Sequence, residues 1–158
     1  MQFLGVELDK YEFRALLTAM VVMTIFIFSM LYVVGAQRSD VPQCVNFDKS
    51  YLTPRVDKID DSTYEVYMVA QMWGFQPDEI RIPVGSTVDF YLTSKDVVHG
   101  FYIDGKDVNM MAEYGNVTKR TAKFTTAGVY KIFCHEYCGV GHQNMEARII
   151  VGFPSNQQ

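Results

Sequence analysis

Residues 128–151 read GVYKIFCHEYCGVGHQNMEARIIV. Both ends, GVYKIF and ARIIV, are short runs rich in β-branched and aromatic residues, the composition of strands. Between them lie twelve residues, CHEYCGVGHQNM, that hold Cys134, Cys138, His135, His142 and Met145. Cys134, Cys138 and His142 recur every four residues and Met145 follows three later, which on a helix would place them on one face. Gly139 and Gly141 interrupt that pattern, and Phe133 closes a strand-like run. The stretch therefore reads as a ligand-bearing loop between two strands.

The same signature recurs upstream. YEVYMVA (64–70), EIRIPV (79–84), STVDFYLT (86–93), VVHGFYI (97–103) and RTAKF (120–124) are further short apolar or alternating runs. Turn signals such as Gln76-Pro77-Asp78, Val84-Gly85-Ser86, Asp104-Gly105 and Ala127-Gly128 separate them. About seven strands at short regular spacing predict an all-β sandwich or barrel over residues 63–152. FPSNQQ, 153–158, reads as a tail.

The N-terminal part is different. From Ala15 to Ala36 no residue is charged. As a helix, about 22 residues reach roughly 33 Å, the thickness of a bilayer core. Apolar residues occupy every face, as in a helix that spans lipid. A cleaved signal peptide usually has a shorter apolar region, about 7–15 residues. Residues 1–36 are thus an N-terminal segment and transmembrane helix, with the span at about 15–36. Polar, aperiodic residues 37–62 read as a linker. Lys10 and Arg14 precede the span while Arg38, Lys49 and Arg55 follow it, so charge does not orient the chain. The net charge of −4 falls entirely in residues 40–158, and no Lys/Arg run exists, which argues against nucleic acid as a partner.

Three cysteines, an odd number, leave at least one thiol outside any intrachain disulfide. Two thiolates, imidazoles and a thioether are soft ligands that suit copper or zinc and exclude calcium and magnesium. A disulfide between Cys134 and Cys138 beside bystander histidines is one reading. A tetrahedral zinc site that adds His99 is a second. Copper is favoured by Met145, since a weak axial methionine recurs in copper electron-transfer sites. A mononuclear copper site leaves one thiolate unused, whereas two coppers bridged by both thiolates use every ligand. His99 lies in a separate run, and two sheets facing one another are expected to bring it to the loop.

The pattern Cys-x-Glu-x-Cys-Gly-x-x-His-x-x-Met, with His99 placed 35 residues before Cys134, resembles the binuclear copper A motif of cytochrome c oxidase subunit II. The motif also occurs in nitrous oxide reductase, whose large propeller has no room here. The single N-terminal span is most similar to subunit II of B-type haem–copper oxidases, and AQMWGFQPDEIRIPVGS (70–86) and TSKDVVHGF (93–101) extend the likeness. This resemblance implies a cupredoxin-like Greek-key β-sandwich. It implies that Cys134 and Cys138 bridge two copper ions, that His99 and Met145 complete one, and that His142 and the main-chain carbonyl of Glu136 complete the other. It implies electron transfer from cytochrome c to haem in subunit I, where oxygen is reduced and protons are pumped. Haem belongs only to that partner. It places the chain in a bacterial or archaeal plasma membrane with the copper domain on the outer face. Trp73 resembles the family's electron-accepting aromatic, and Glu12 a glutamate at the mouth of a proton pathway. His135 occupies a position at which the family needs no ligand and reads as a bystander, and Cys44 as an unremarkable thiol. A freestanding membrane-anchored copper carrier or copper-handling protein is the competing function.

Overall fold

The structure is a computed structural model. It describes residues 2–3, 6–7, 9–37 and 42–152; the tail read at 153–158 lies outside these. The chain divides into two compact units, Met1–Asp40 and Val41–Gln158.

The first unit holds a two-strand ladder, β1 (Gln2–Phe3) with β2 (Val6–Glu7), and one long helix, α1 (Lys10–Gln37). The helix starts where Asp9 caps it. The Asp9 carboxylate accepts from the N–H groups of Tyr11 (2.6 Å) and Glu12 (2.9 Å), and Glu12 accepts in return from the Asp9 N–H at 3.0 Å. This reciprocal capping box satisfies donors that a helix start leaves open. Within the apolar stretch, the Thr18 and Thr24 hydroxyls donate to the carbonyls of Arg14 (2.8 Å) and Met20 (2.7 Å) one turn back. Their polarity is thereby absorbed inside the helix. Lys10–Ala36 is long and apolar enough to cross a membrane.

The second unit is a sandwich of two sheets. Its strands are β3 (Gln43–Val45), β4 (Arg55–Lys58), β5 (Thr63–Gln71), β6 (Gly74–Gln76), β7 (Glu79–Ile82), β8 (Ser86–Ser94), β9 (His99–Ile103), β10 (Asn109–Ala112), β11 (Val117–Phe124), β12 (Gly128–Phe133) and β13 (Glu146–Val151). One sheet runs β10-β9-β12-β13-β7; the other runs β3-β11-β8-β5-β4, with β6 paired to β5. Two pairings are parallel, β5 with β8 and β13 with β7, and the rest of both sheets is antiparallel. All seven runs read as strands are strands.

The stretch read as a linker, 37–62, needs correction. β3 pairs with β11 (Val45 opposite Val117) and β4 pairs with β5 (Val56 opposite Val66), so both are edge strands of the sandwich. Between them a 3₁₀ turn, Lys49–Leu52, brings Tyr51 onto the stacked rings of Tyr67 and Tyr91, whose centroids are 4.9 Å apart. The Arg55 guanidinium lies 3.4 Å from the Tyr67 ring centre and pairs with Asp57 at 2.8 Å. Short strands, one of them charged (Arg55-Val56-Asp57-Lys58), are a common way to guard a sheet edge, and they lack the alternation of apolar residues that reveals a central strand.

Inside, the strands alternate as a half-buried pleat requires. β8 buries Ser86, Val88, Phe90 and Leu92 and turns the residues between them outward. A chain of aromatic contacts crosses the core: Phe75–Phe101 (5.4 Å between centroids), Phe90–Phe101 (6.0 Å), Phe90–Phe124 (6.3 Å) and Phe124–Tyr130 (5.1 Å). Cys134, Cys138 and Met145 belong to the same buried cluster. The core thus continues without a break into the sulfur donors.

Phe124→Ala leaves a cavity among Phe90 and Tyr130 and is expected to cost about 3–5 kcal/mol, the range for such truncations. Guanidinium unfolding of the detergent-solubilised chain measures it; a loss under about 1 kcal/mol would contradict the packing described.

Candidate metal centre

The loop between β12 and β13 begins and ends on one register pair, Phe133 opposite Glu146. One step further in, the Cys134 N–H donates to the Met145 carbonyl at 3.2 Å. Residues 134–145 are therefore a closed loop on paired strands. Its far side tightens into a 3₁₀ turn, His142–Asn144, with the His142 N–H donating to Gly139 (3.1 Å) and the Met145 N–H to His142 (3.1 Å).

The loop turns its soft donors inward. The two thiol sulfurs lie 3.9 Å apart. Cys134 Sγ is 3.2 Å from the main-chain oxygen of Glu136. Cys138 Sγ is 3.5 Å from His142 Nδ1 and 3.8 Å from Met145 Sδ. Cys134, Cys138 and Met145 are buried, and His142 is partly exposed. All three cysteines are free, which removes the disulfide reading. Burial, then the neighbouring Cys134, pushes the Cys138 thiol up to about 11. Cys138 thus keeps its proton at neutral pH, and a cation that binds there must displace it.

His99 comes from β9, not from a facing sheet as expected. β9 and β12 are neighbours in one sheet, with Ile103 opposite Ile132 and Tyr102 opposite Phe133. Because they run antiparallel, the start of β9 and the end of β12 lie at the same end of the sheet. One ring nitrogen of His99 and the two sulfurs all lie within 4.8 Å of one another. His99 is fully buried. Its Nε2 lies 2.7 Å from Asp96 Oδ1, and its Nδ1 has no hydrogen-bond partner among the described residues. With the Nε2 proton given to Asp96, Nδ1 carries a lone pair. A buried lone pair without a partner is costly unless something binds it, and beside two thiols a soft cation is the group that would suit it. The donor set fits a thiophilic metal.

Asp96 was not singled out by its sequence. Its carboxylate also accepts from the N–H groups of Met72 and Val97 (2.7 Å each) and from Ser94 Oγ at 3.3 Å. Burial alone would raise its pKa, but the hydrogen bonds from His99, Met72 and Val97 outweigh it and hold the carboxyl below its ordinary value. Its only signal is its place three residues before His99.

Through Met72, Asp96 anchors the turn that carries Trp73. The indole lies on the bare backbone of the ligand loop. A Cβ on Gly141 (φ +106°) would meet the ring at 3.2 Å, and one on Gly139 would meet Nε1 at 3.4 Å. Trp73 is nonetheless 48% exposed, so it touches both the loop and solvent. Tyr137 sets its ring edge-on to His142, 5.9 Å between centroids. The structure therefore brings together His99, Cys134, Glu136, Cys138, His142 and Met145, with Trp73 as their cover. His135 is exposed, with Nδ1 3.6 Å from Glu136 Oε1, and stands apart from the cluster. Cys44 is exposed on edge strand β3 opposite Thr118. Glu12 belongs to the other unit, in the capping box of α1.

Residues 23–152 match the family described as cytochrome c oxidase subunit II, periplasmic domain. Two curated proteins of Thermus thermophilus, each a cytochrome c oxidase subunit 2, are 42% identical over 88 residues. That is 56% of this chain and 65% and 52% of theirs, so the match spans between half and two thirds of these relatives. A chain in a cryo-EM structure of a haem–copper terminal oxidase dimer superimposes with a TM-score of 0.78 at 39% identity, covering 90% of this chain and 99% of that one. The periplasmic domain of subunit II of a cytochrome oxidase from Bradyrhizobium japonicum gives 0.51 at 22% identity, covering 62% and 86%, a likeness of fold alone. Matched over most of its length, the chain belongs to the cytochrome c oxidase subunit II family.

Proposed function

We propose that this chain is the electron-accepting subunit of a haem–copper terminal oxidase and that it holds two copper ions. Cys134 and Cys138 would be shared by both ions, His99 and Met145 would serve one, and His142 with the Glu136 carbonyl would serve the other. The observation that carries this reading is the convergence of two unpaired thiols with an unpartnered buried imidazole nitrogen, a second imidazole, a thioether and a main-chain oxygen. Zinc gives the thioether no role.

When bound, the copper pair supplies a one-electron couple shared between two bridged ions. The protein's own residues determine how such a couple behaves. Asp96 fixes the tautomer and orientation of His99, and partners of this kind tune a metal site. The ladder beneath Cys134 and the turn before Met145 hold the donors in place whatever their charge state. Core residues such as Phe101 and Ile132 keep water from the inner side. On the outer side Trp73 gives an aromatic surface to an arriving donor, which we take to be cytochrome c. Electrons then pass to haem in subunit I, where oxygen is reduced with proton pumping. Helix α1 anchors the chain in a bacterial or archaeal plasma membrane, with the copper domain outside. Glu12, in its first turn, stands on the inner side at the mouth of a proton pathway into subunit I.

The purified protein is expected to carry two coppers and a seven-line hyperfine EPR pattern from one unpaired electron on both nuclei; four lines would rule out the bridged pair. A haem-containing partner should co-purify in mild detergent, and a lone chain would overturn the oxidase assignment.

Cys138→Ser removes a bridge and is expected to abolish the seven-line signal. Met145→Leu removes a weak ligand, so both coppers stay while the reduction potential moves, as voltammetry would record.

Trp73→Ala should slow electron uptake from cytochrome c at least about ten-fold, a barrier change of ~1.4 kcal/mol, without altering the EPR signal. Stopped-flow reduction measures it, and an unchanged rate would place the electron path elsewhere.

A further inference from the structure

We infer that His135 is a positioning residue, whose imidazole is the spacer that sets His99 at its distance from the Cys134–Cys138 pair; the inference rests on the copper reading above. The paired register of β9 and β12 ends at Tyr102 opposite Phe133. Continued by two residues, it would set Gly100 opposite His135. The ladder opens there, and the ligand loop begins. What occupies the opening is the His135 ring. A Cβ built on Gly100 would lie 2.6 Å from His135 Nδ1 and 2.7 Å from both Cε1 and Cγ. Near-equal distances to three ring atoms mean that the imidazole lies face-on over the Gly100 α-carbon.

Gly100 is buried, and its backbone is not in the left-handed region, so glycine is needed there for space rather than for conformation. Any larger residue would collide with a ring, not with a flexible chain end. His135 and Gly100 are therefore a matched pair, one flat and one bare. Each adjoins a donor: His135 follows Cys134, and Gly100 follows His99. Among the described residues no β9–β12 pair follows Phe133; β9 is held there on its other side by β10, with Gly100 opposite Met111 and His99 opposite Ala112, and on the β12 side the ring contact fills the gap. His99 beside it is fully buried, while the His135 side chain stays 31% exposed. A flat ring can do this without offering either nitrogen to the metal.

The test has a copper-free and a copper-loaded arm, both on the full chain in detergent. Without copper, Gly100→Ala should lower the denaturation midpoint, and adding His135→Ala should restore most of the loss. Additive losses would overturn the inference, because they would mean that the ring and the glycine are not in contact. With copper, His135→Ala should release the metal to a chelator about ten-fold faster, the scale expected when a supporting contact is lost, and should change the hyperfine splitting. His135→Phe keeps a flat ring and should retain both wild-type values. A His135→Ala protein identical to wild type, or a His135→Phe protein as impaired as His135→Ala, would each overturn the spacer role. A wild type without the seven-line signal fails the copper reading, and the copper-free cycle still decides whether ring and glycine are matched.

Discussion

The 2.7 Å contact between Asp96 and His99 is the interaction on which the rest of the site depends. It commits one imidazole nitrogen, Nε2, to a carboxylate and leaves Nδ1 buried without a partner in a ring that lies beside two thiols. The same carboxylate takes the Met72 N–H, so the turn bearing Trp73 is fixed from the same point. One aspartate thereby determines how the innermost donor is presented and where the outermost aromatic rests. Removing it would leave His99 free to choose its tautomer and the Trp73 turn without its tie.

The sandwich makes that contact possible by bringing distant residues to one end of a single sheet. β9 and β12 are neighbours, and their antiparallel run sets the start of one beside the end of the other. The aromatic core reaches Phe101, two residues after His99, so the histidine is held by packing as well as by hydrogen bonding. Burial also raises the cost of leaving the thiols and Nδ1 unsatisfied, which favours a bound soft cation.

Much of this was legible in the sequence because it is local. Cys134, Cys138, His142 and Met145 announce their chemistry by type and spacing within twelve residues, and the central strands by alternation or apolar runs. What escaped depends on pairing across space. β3 and β4 lie at sheet edges, where half their surroundings are water and no alternation is required, so they read as linker. The partner strand of β9 cannot be deduced from its own residues, so the sequence alone points to a facing sheet as the source of His99. Asp96 looks like any carboxylate near a strand end until the imidazole it holds is visible. Trp73 was marked only by resemblance; that it rests on two glycines of the loop is a property of the fold.

The twelve-residue loop opens and closes on one strand pair, Phe133 and Glu146. It is in effect a cassette set into a hairpin, with its sulfur donors Cys134, Cys138 and Met145 packed into the core. Five of the six donors travel with the cassette, and the frame contributes His99 alone. Such a division lets the site be retuned by exchanging a short segment while the surrounding architecture stays as it is.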